Sequence, residues 1–496
     1  MLVKPDTREP FCVIGMLDDI LYECLKYECC LMRFDLLSWR YHMERCKPDI
    51  AIFSYNSISY YFKPHFDNEN ISTKISEFDE MLNYCDNNNI KSILWIDNYD
   101  VEINLFIPLL DRKFDAVFSV CPCHVEKSLI SSKNCDIFYL PLAAQLSLFN
   151  PANKDLERIG IISSPEECLK MSCCYALMSC FYKKFEILSI QKFNDAEKHF
   201  VPYYIFDMLS CGKIVVCPDH KHIKELLGKG IKFANNEHEF DSLCYKYSAN
   251  KNLCDKLSLI NLRQIIRSHT YKHRLIEILS KVNLDYIDNT TIDGATIICI
   301  ADNYAHIYTT IYNYISQNIQ NKHLVFIINN NFISKSEVDK IVSHLENVNV
   351  CFYDSQSSYY KCVENAIMNS SFNYIAFFNP EDYYLPHYLS DALNCFVYSH
   401  CKIAGKKTLL IYNQEDGSIQ LEFPGQEERY CRSIAKWTCV AEKEVFCKVD
   451  VSLFLENSNK FFNLCNLYGF KVYSSNRFNY IFIDVPNSSK ANLCIH

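Results

Sequence analysis

The segment Asn373-Tyr374-Ile375-Ala376-Phe377-Phe378-Asn379-Pro380-Glu381-Asp382-Tyr383-Tyr384-Leu385-Pro386-His387-Tyr388-Leu389 is an apolar run that ends in carboxylates and then passes into aromatics and a helix start. The run from Tyr374 to Phe378 predicts a buried strand. In α/β sheets ligands bind at the carboxyl ends of strands, so Glu381 and Asp382 are delivered where a divalent ion and a diphosphate could sit. A plain strand-to-helix turn in which Asp382 caps the helix fits the same spacing.

Working outward, short runs rich in Ile, Val and Phe alternate with amphipathic stretches, the mark of βαβ units and a parallel sheet. Phe11–Ile14, Ile50–Phe53, Ile93–Ile96, Ala116–Val120 and Ile137–Leu140 are such runs, separated by helix-like Ile20–Tyr27, Leu36–Arg45 and Ile75–Cys85. Turn-forming residues at Phe149-Asn150-Pro151-Ala152-Asn153-Lys154 break the pattern. A second α/β unit then runs from strand Arg158–Ile162 through helix-like Cys168–Phe185, strand Ile187–Ile190, helix Tyr203–Leu209 and strand Ile214–Val216 to a long helix, Leu253–Leu279. After the polar stretch Asn283–Gly294, strand Ala295–Ala301 restarts the alternation, followed by helix Tyr308–Gln317, strand Leu324–Ile328, helix Lys335–Leu345 and strand Asn349–Phe352. The reading is α/β throughout, in three domains at 1–148, 149–290 and 291–496.

Composition narrows the function. The chain has 496 residues, 49% of them hydrophobic, with 50 Lys+Arg against 59 Asp+Glu, so it is globular and carries no basic footprint for nucleic acid. None of its 10 glycines forms G-x-G-x-x-G or G-x-x-x-x-G-K-[ST]; Gly228 and Gly230 have Phe233 where a third glycine would stand. Kinases, P-loop NTPases and typical dinucleotide oxidoreductases are thereby disfavoured. The 27 cysteines contain no C-x-x-C, so neither a zinc knuckle nor a thioredoxin motif is expected, and the odd count without a cleavable leader argues for buried, reduced thiols in a cytoplasmic setting. His269 and His273 stand at i, i+4 without a third ligand pattern, which favours a surface or capping role over a metal. No apolar run reaches the ~18 residues that span a bilayer, so any membrane association is at most peripheral.

The Asn373–Leu389 segment resembles the metal-binding turn of inverting, family-two GT-A glycosyltransferases, where an apolar strand ends in Asp-x-Asp-Asp before an aromatic and a Pro-x-x-Leu helix start. Ile297–Ala301 with Asp302-Asn303-Tyr304 resembles that family's first strand and nucleotide-binding turn. Tyr314-Ile315-Ser316-Gln317, Leu324–Asn329 and Lys361-Cys362-Val363-Glu364-Asn365-Ala366 resemble its following elements. Phe454-Leu455-Glu456-Asn457, with Tyr468-Gly469-Phe470-Lys471-Val472, resembles the Glu-Asp turn of the catalytic base and the strand after it. The resemblance implies a nucleotide-diphospho-sugar transferase domain in which Asp302 meets the donor, Glu381, Asp382 and Asn379 hold Mg²⁺ or Mn²⁺, and Glu456 is the base. Trp437 follows the region where an acceptor binds and is its candidate platform, with core packing as the alternative. Amides stand in both key places, Asn379 and Asn457; an amide oxygen can ligate a hard cation but cannot accept a proton as a general base.

The amino-terminal half resembles spore-maturation-type glycosyltransferases of the GT-B fold, a pair of Rossmann-like domains. Asp19-Ile20-Leu21-Tyr22-Glu23-Cys24-Leu25-Lys26, Lys47-Pro48-Asp49-Ile50, Ile93-Leu94-Trp95-Ile96-Asp97-Asn98, Tyr139-Leu140-Pro141-Leu142 and Phe206-Asp207-Met208-Leu209-Ser210-Cys211-Gly212 carry the likeness. It implies that Asp207 and Arg158, with backbone amides at the Cys211-Gly212 turn, are the donor-side groups; an ordinary helix residue before a glycine stop is the alternative for Asp207. Together the resemblances imply transfer of a sugar from a nucleotide-sugar donor to a polysaccharide, glycolipid or protein-linked glycan in cell-surface glycan biosynthesis. The protein would be cytoplasmic or peripheral to the inner face of the membrane. The rival expectation is a degenerate relative that serves as a scaffold or glycan-binding partner of active glycosyltransferases.

Overall fold

The computed structural model describes residues 2–5, 9–62, 71–98, 112, 114–131, 137–153, 157–162, 175–228, 230–289, 292, 294–331 and 333–484. The chain divides into two compact units, Met1–Pro151 with Asp155–Thr291, and Ala152–Lys154 with Ile292–His496. Each is mixed α/β.

The first unit holds a six-stranded sheet in the order Cys30–Arg33, Cys12–Met16, Ile50–Ser54, Lys91–Ile96, Ala116–Ser119, Ile137–Tyr139, with every pairing parallel. Five of these strands are the apolar runs legible in the sequence. The edge strand Cys30–Arg33 is not, because it is only partly buried and has no β-branched residue. Helix Asp19–Leu25 begins where Asp18 accepts from the Leu21 N–H at 2.7 Å. One face of the sheet closes over Phe53, whose ring meets Phe78 at 5.5 Å and Phe114 at 6.0 Å; all three are buried. Burying each such ring stabilises by about 1.5–3 kcal/mol.

The same unit contains a second parallel sheet, Lys232–Phe233, Ile214–Cys217, Phe185–Ile190, Glu157–Ile162. Helix Tyr203–Ser210 is buried from Tyr204 to Ser210 and stops at Cys211-Gly212, where Gly212 takes φ 67°, a left-handed conformation that favours glycine. Of the helix-like stretch Cys168–Phe185, residues 168–174 lie outside the described residues, and the remainder is a 3₁₀ turn, Tyr175–Leu177, and helix Met178–Lys183. The long helix expected over Leu253–Leu279 is two helices, Lys251–Ser268 and Tyr271–Lys281. Thr270 takes an extended conformation and starts the second helix, and its hydroxyl meets His273 Nδ1 at 2.7 Å. The His269/His273 pair therefore straddles a helix break. His269 lies against Arg274, 3.2 Å from Nδ1 to Nη2, and burial, then that guanidinium, lowers its pKa to about 4.

The second unit has an eight-stranded sheet. Its parallel part runs Val348–Tyr353, Lys322–Asn329, Ala295–Ala301, Tyr374–Phe378, and antiparallel strand Val440–Glu442 continues it toward Ile403–Gly405, Val472–Ser474 and Arg429–Cys431. A smaller sheet, Tyr383–Tyr384, Tyr480–Asp484, Leu409–Asn413, Ile419–Glu422, accompanies it. Helix Tyr304–Ser316 begins four residues before the expected Tyr308, because Asn303 caps it by accepting from the His306 N–H at 2.9 Å. At Gly405 a Cβ would run into the Ile434 side chain and the Thr438 carbonyl, so the strand lies tight against the turn Lys436–Thr438. Among the described residues no helix is long and apolar enough to cross a membrane.

Candidate functional site

The four parallel strands of the second unit end on one rim, where the chain leaves them at Asp302, Asn330, Asp354 and Asn379. This is the rim at which α/β sheets bind ligands. A cavity of about 580 Å³ between Gln320, Lys322, Asn347 and Phe372 opens at the opposite, amino-terminal ends of the strands.

Asp302 is exposed, and its backbone N–H meets His306 Nδ1 at 3.3 Å. His306 Nε2 in turn lies 4.0 Å from Glu381 Oε1, a pair that is ionic when the imidazole is protonated. The capped helix start thus brings the predicted donor residue and one predicted metal ligand to the same place. His306 was not among the expected site residues; its position four residues after Asp302, at the third position of an Asn-capped helix, is the sequence signal that places it there.

The turn after Phe378 separates its two carboxylates. Glu381 points outward, with 46% of its side chain exposed, whereas Asp382 is fully buried. Asp382 Oδ2 accepts from Tyr480 Oη and Asn379 Nδ2, both at 2.8 Å, and Oδ1 accepts from the Ile483 N–H at 3.1 Å. Its main-chain carbonyl accepts from Asn313 Nδ2 at 2.9 Å. Burial raises the Asp382 pKa to about 6 against the opposing pull of those donors. Asn379, 8% exposed, donates its N–H to Tyr384 Oη at 2.8 Å, and its Oδ1 receives the Glu381 N–H at 3.5 Å. Tyr384 itself is stacked on Phe378, centroids 3.8 Å apart and planes within 6°.

These contacts decide how the turn fits the Mg²⁺ or Mn²⁺ that the resemblance implies. Asn379 and Asp382 hold each other and the small sheet, and only Glu381 fits an open ligand position. A divalent ion held by all three does not fit this arrangement.

Glu456 ends helix Val451–Glu456 and accepts a hydrogen bond from Tyr360 Oη. Tyr360 packs on Tyr359 at 5.1 Å, and Tyr359 on Tyr353 at 5.0 Å. Tyr353 ends its strand, and burial followed by the negative charge of Asp302 raises its pKa. A row of three tyrosines, Tyr353, Tyr359 and Tyr360, therefore runs along the rim to Glu456. Asn457 is the cap of helix Ser458–Leu467, accepting from the Lys460 N–H at 3.0 Å. Trp437 is half-buried against Phe454, 6.4 Å between centroids, on the helix that carries Glu456, while Lys436 Nζ lies 4.4 Å over its ring and donates to the Leu455 carbonyl at 2.6 Å. The Trp437 carbonyl accepts from Tyr384 Oη at 2.8 Å, which ties this element to the Asn379 turn. Core packing accounts for these Trp437 contacts.

In the first unit Asp207 is fully buried in helix Tyr203–Ser210. Tyr175 Oη donates to its Oδ2 at 2.8 Å, and its Oδ1 has no hydrogen-bond partner among the described residues. Burial holds its pKa well above the ordinary value. The Tyr175 ring is enclosed by Phe149 at 4.9 Å and Tyr203 at 5.7 Å, and Cys24 Sγ contacts its hydroxyl at 3.6 Å. The Cys211 and Gly212 amides, expected as phosphate donors, are already given to the Asp207 and Leu209 carbonyls at 3.1 and 3.0 Å. Arg158 lies in strand Glu157–Ile162, and its side chain is outside the described residues.

Residues 175–280, which include Asp207, match the family model described as glycosyl transferase-like. No curated protein sequence matches the chain. Among solved structures it is similar to S. aureus TarS 1-349, at 12% identity and TM-score 0.29 over 38% of this chain and 60% of that one. The same protein in complex with UDP gives 12%, 0.30, 39% and 61%, and in complex with UDP-GlcNAc 10%, 0.31, 41% and 61%. The chain thus spans about three fifths of the length of those structures.

Proposed function

We propose that this protein is a glycosyltransferase that moves a sugar from a nucleotide-sugar donor to a polysaccharide, glycolipid or protein-linked glycan at the carboxyl rim of its second unit. In this reading residues 1–148 and 149–290 form a GT-B-like pair and 291–496 a GT-A domain. The observation that supports it is the row Tyr353, Tyr359, Tyr360, which reaches Glu456 along the same strand-end rim on which Asp302 stands. Asp302 binds the nucleotide part of the donor, beside tyrosine rings that offer it a stacking face. Glu456 takes the proton of the acceptor hydroxyl as that oxygen attacks the anomeric carbon, and the nucleoside diphosphate departs with the bonding electron pair. Tyr360 orients the Glu456 carboxylate, and the acceptor approaches on the Trp437 side. Mg²⁺ or Mn²⁺, if the donor brings one, meets Glu381 alone of the three predicted ligands, and no step depends on it. A cytoplasmic location, peripheral to a membrane at most, goes with this reading.

The full chain should gain thermal stability from at least one member of a nucleotide-sugar panel, since a ligand that binds only the folded state stabilises it by mass action. Asp302→Ala should remove the shift; a panel without effect would count against the reading. The second reading, a degenerate relative acting as a scaffold or glycan-binding partner of active glycosyltransferases, is favoured by the inward-turned Asp207 and Asp382. It predicts glycan binding with no nucleotide-sugar response.

A further inference from the structure

Outside the rim, the first unit gathers a set of soft ligands that the sequence pattern hides. Strand Ala116–Ser119 leads through Val120 and Cys121 into helix Pro122–Ser131, and Cys121-Pro122-Cys123-His124 occupies that junction. Cys121 and His124 are buried and Cys123 is half-buried. One ligand atom from each of the three lies within 4.8 Å of the others; among the described residues this is the one such group of three His, Cys or carboxylate ligands. The two sulfurs approach to 2.7 Å. Ser119 Oγ holds His124 Nδ1 at 2.8 Å and accepts the Cys121 N–H at 3.1 Å, so one hydroxyl fixes both the imidazole and the backbone of the first cysteine. Such an outer hydrogen bond is what orients a metal-ligating histidine. Cys121 Sγ also faces the His199 carbonyl at 3.4 Å.

We propose that Cys121, Cys123 and His124 form a zinc site. Two sulfurs and an imidazole are the donor set that borderline-soft Zn²⁺ selects over Mg²⁺ or Mn²⁺, and three protein ligands leave a fourth, tetrahedral position for water or the His199 carbonyl. Binding converts both thiols to thiolates, so each ion bound releases two protons to the buffer. The convergence of His124 separates this site from a simple C-x-C disulfide, which makes no use of an imidazole. With His199 at its edge, the ion links the rim of the six-stranded sheet to the segment that precedes helix Tyr203–Ser210. A search for C-x-x-C spacing passes over the site because its cysteines are two apart.

The test is a Co²⁺ titration of the reduced full chain, read by the thiolate-to-cobalt absorption band and reversed by Zn²⁺. One equivalent that gives the band is expected, lost in Cys123→Ser and in His124→Ala, and kept in Cys180→Ser, an exposed cysteine elsewhere in the unit. A parallel thermal-unfolding scan should show that added Zn²⁺ raises the midpoint of the wild type and not of Cys123→Ser. Absence of the band in the reduced wild type, a band that survives Cys123→Ser, or a Cys121–Cys123 disulfide in protein from a reducing cytosol would overturn the proposal.

Discussion

Asp207 in the first unit and Asp382 in the second occupy the places where the two resemblances put ligand-facing carboxylates, and both are fully buried. They differ in what surrounds them. Asp382 has three donors, two of them from strand Tyr480–Asp484, about a hundred residues downstream, and it fastens the turn that leaves Glu381 outside. Asp207 has Tyr175 alone and one oxygen without a partner among the described residues, inside a nest of tyrosine rings. A carboxylate at a motif position is thus not by itself a ligand; its donors decide whether it braces the fold or faces a substrate. The second unit keeps an outward carboxylate, Glu381, beside its brace.

The largest effect expected from this contrast is that of Asp382→Ala, which leaves the Ile483 N–H, the Tyr480 hydroxyl and the Asn379 amide buried without their acceptor. A loss on the order of 4 kcal/mol should follow, read from the urea midpoint of the full chain. A loss below ~1 kcal/mol would mean that the turn is free after all.

Next comes pH. The Asp382 pKa is about 6 in the folded protein against an ordinary 3.8, so between pH 4 and 6 the folded state keeps a proton that the unfolded state has released. Stability therefore falls by about 3 kcal/mol as pH rises through that window, and this group adds no slope above it. Asp382→Asn should flatten the profile; parallel profiles for the two proteins would break the assignment.

Asn379→Asp, the change that would restore the family's acidic pattern, places a second carboxylate 2.8 Å from Asp382 Oδ2. Without a cation it should cost roughly 2 kcal/mol at pH 8 and less at pH 5, where one of the pair takes up a proton. Added Mn²⁺ should restore the melting temperature of the variant and leave the wild type unmoved. The smallest effects separate the two sites by donor count: Tyr175→Phe removes the single described donor of Asp207 and should cost about 1–2 kcal/mol, whereas Tyr480→Phe removes one of three and should cost less than ~1 kcal/mol. The reverse order would undo the contrast.

Much of the fold was legible because it is local. Runs such as Ile50–Phe53, Ala295–Ala301 and Tyr374–Phe378 are largely apolar, as strands covered on both faces must be, and each is a sheet strand with at least one parallel neighbour. What escaped depends on distant partners. The break at His269–Thr270 carries only a weak local signal, a threonine cap completed by histidine where the usual capping box has Glu or Gln. The carboxylate that faces outward at Glu381-Asp382 is chosen by Tyr480 and Ile483, far along the chain. The sequence Tyr203-Tyr204-Ile205-Phe206-Asp207-Met208-Leu209-Ser210 is apolar around Asp207, and that does point to burial. Its partner Tyr175 could not be read from local spacing. Asp302 and Glu381 were legible as rim residues, and the Asn303 cap gave a local signal for His306, but Tyr360 beside Glu456 was not legible, because it gains its place from tertiary contact.

The central claim is that the second unit transfers sugar with Glu456 as the base, and release of nucleoside diphosphate from a nucleotide sugar in the presence of glycan acceptors tests it most directly. The account predicts release by the wild type, at least a 100-fold loss in kcat for Glu456→Gln with donor binding unchanged, and an undiminished rate for Asp207→Asn. Release that persists in Glu456→Gln, or that disappears in Asp207→Asn while the fold is intact, would contradict it.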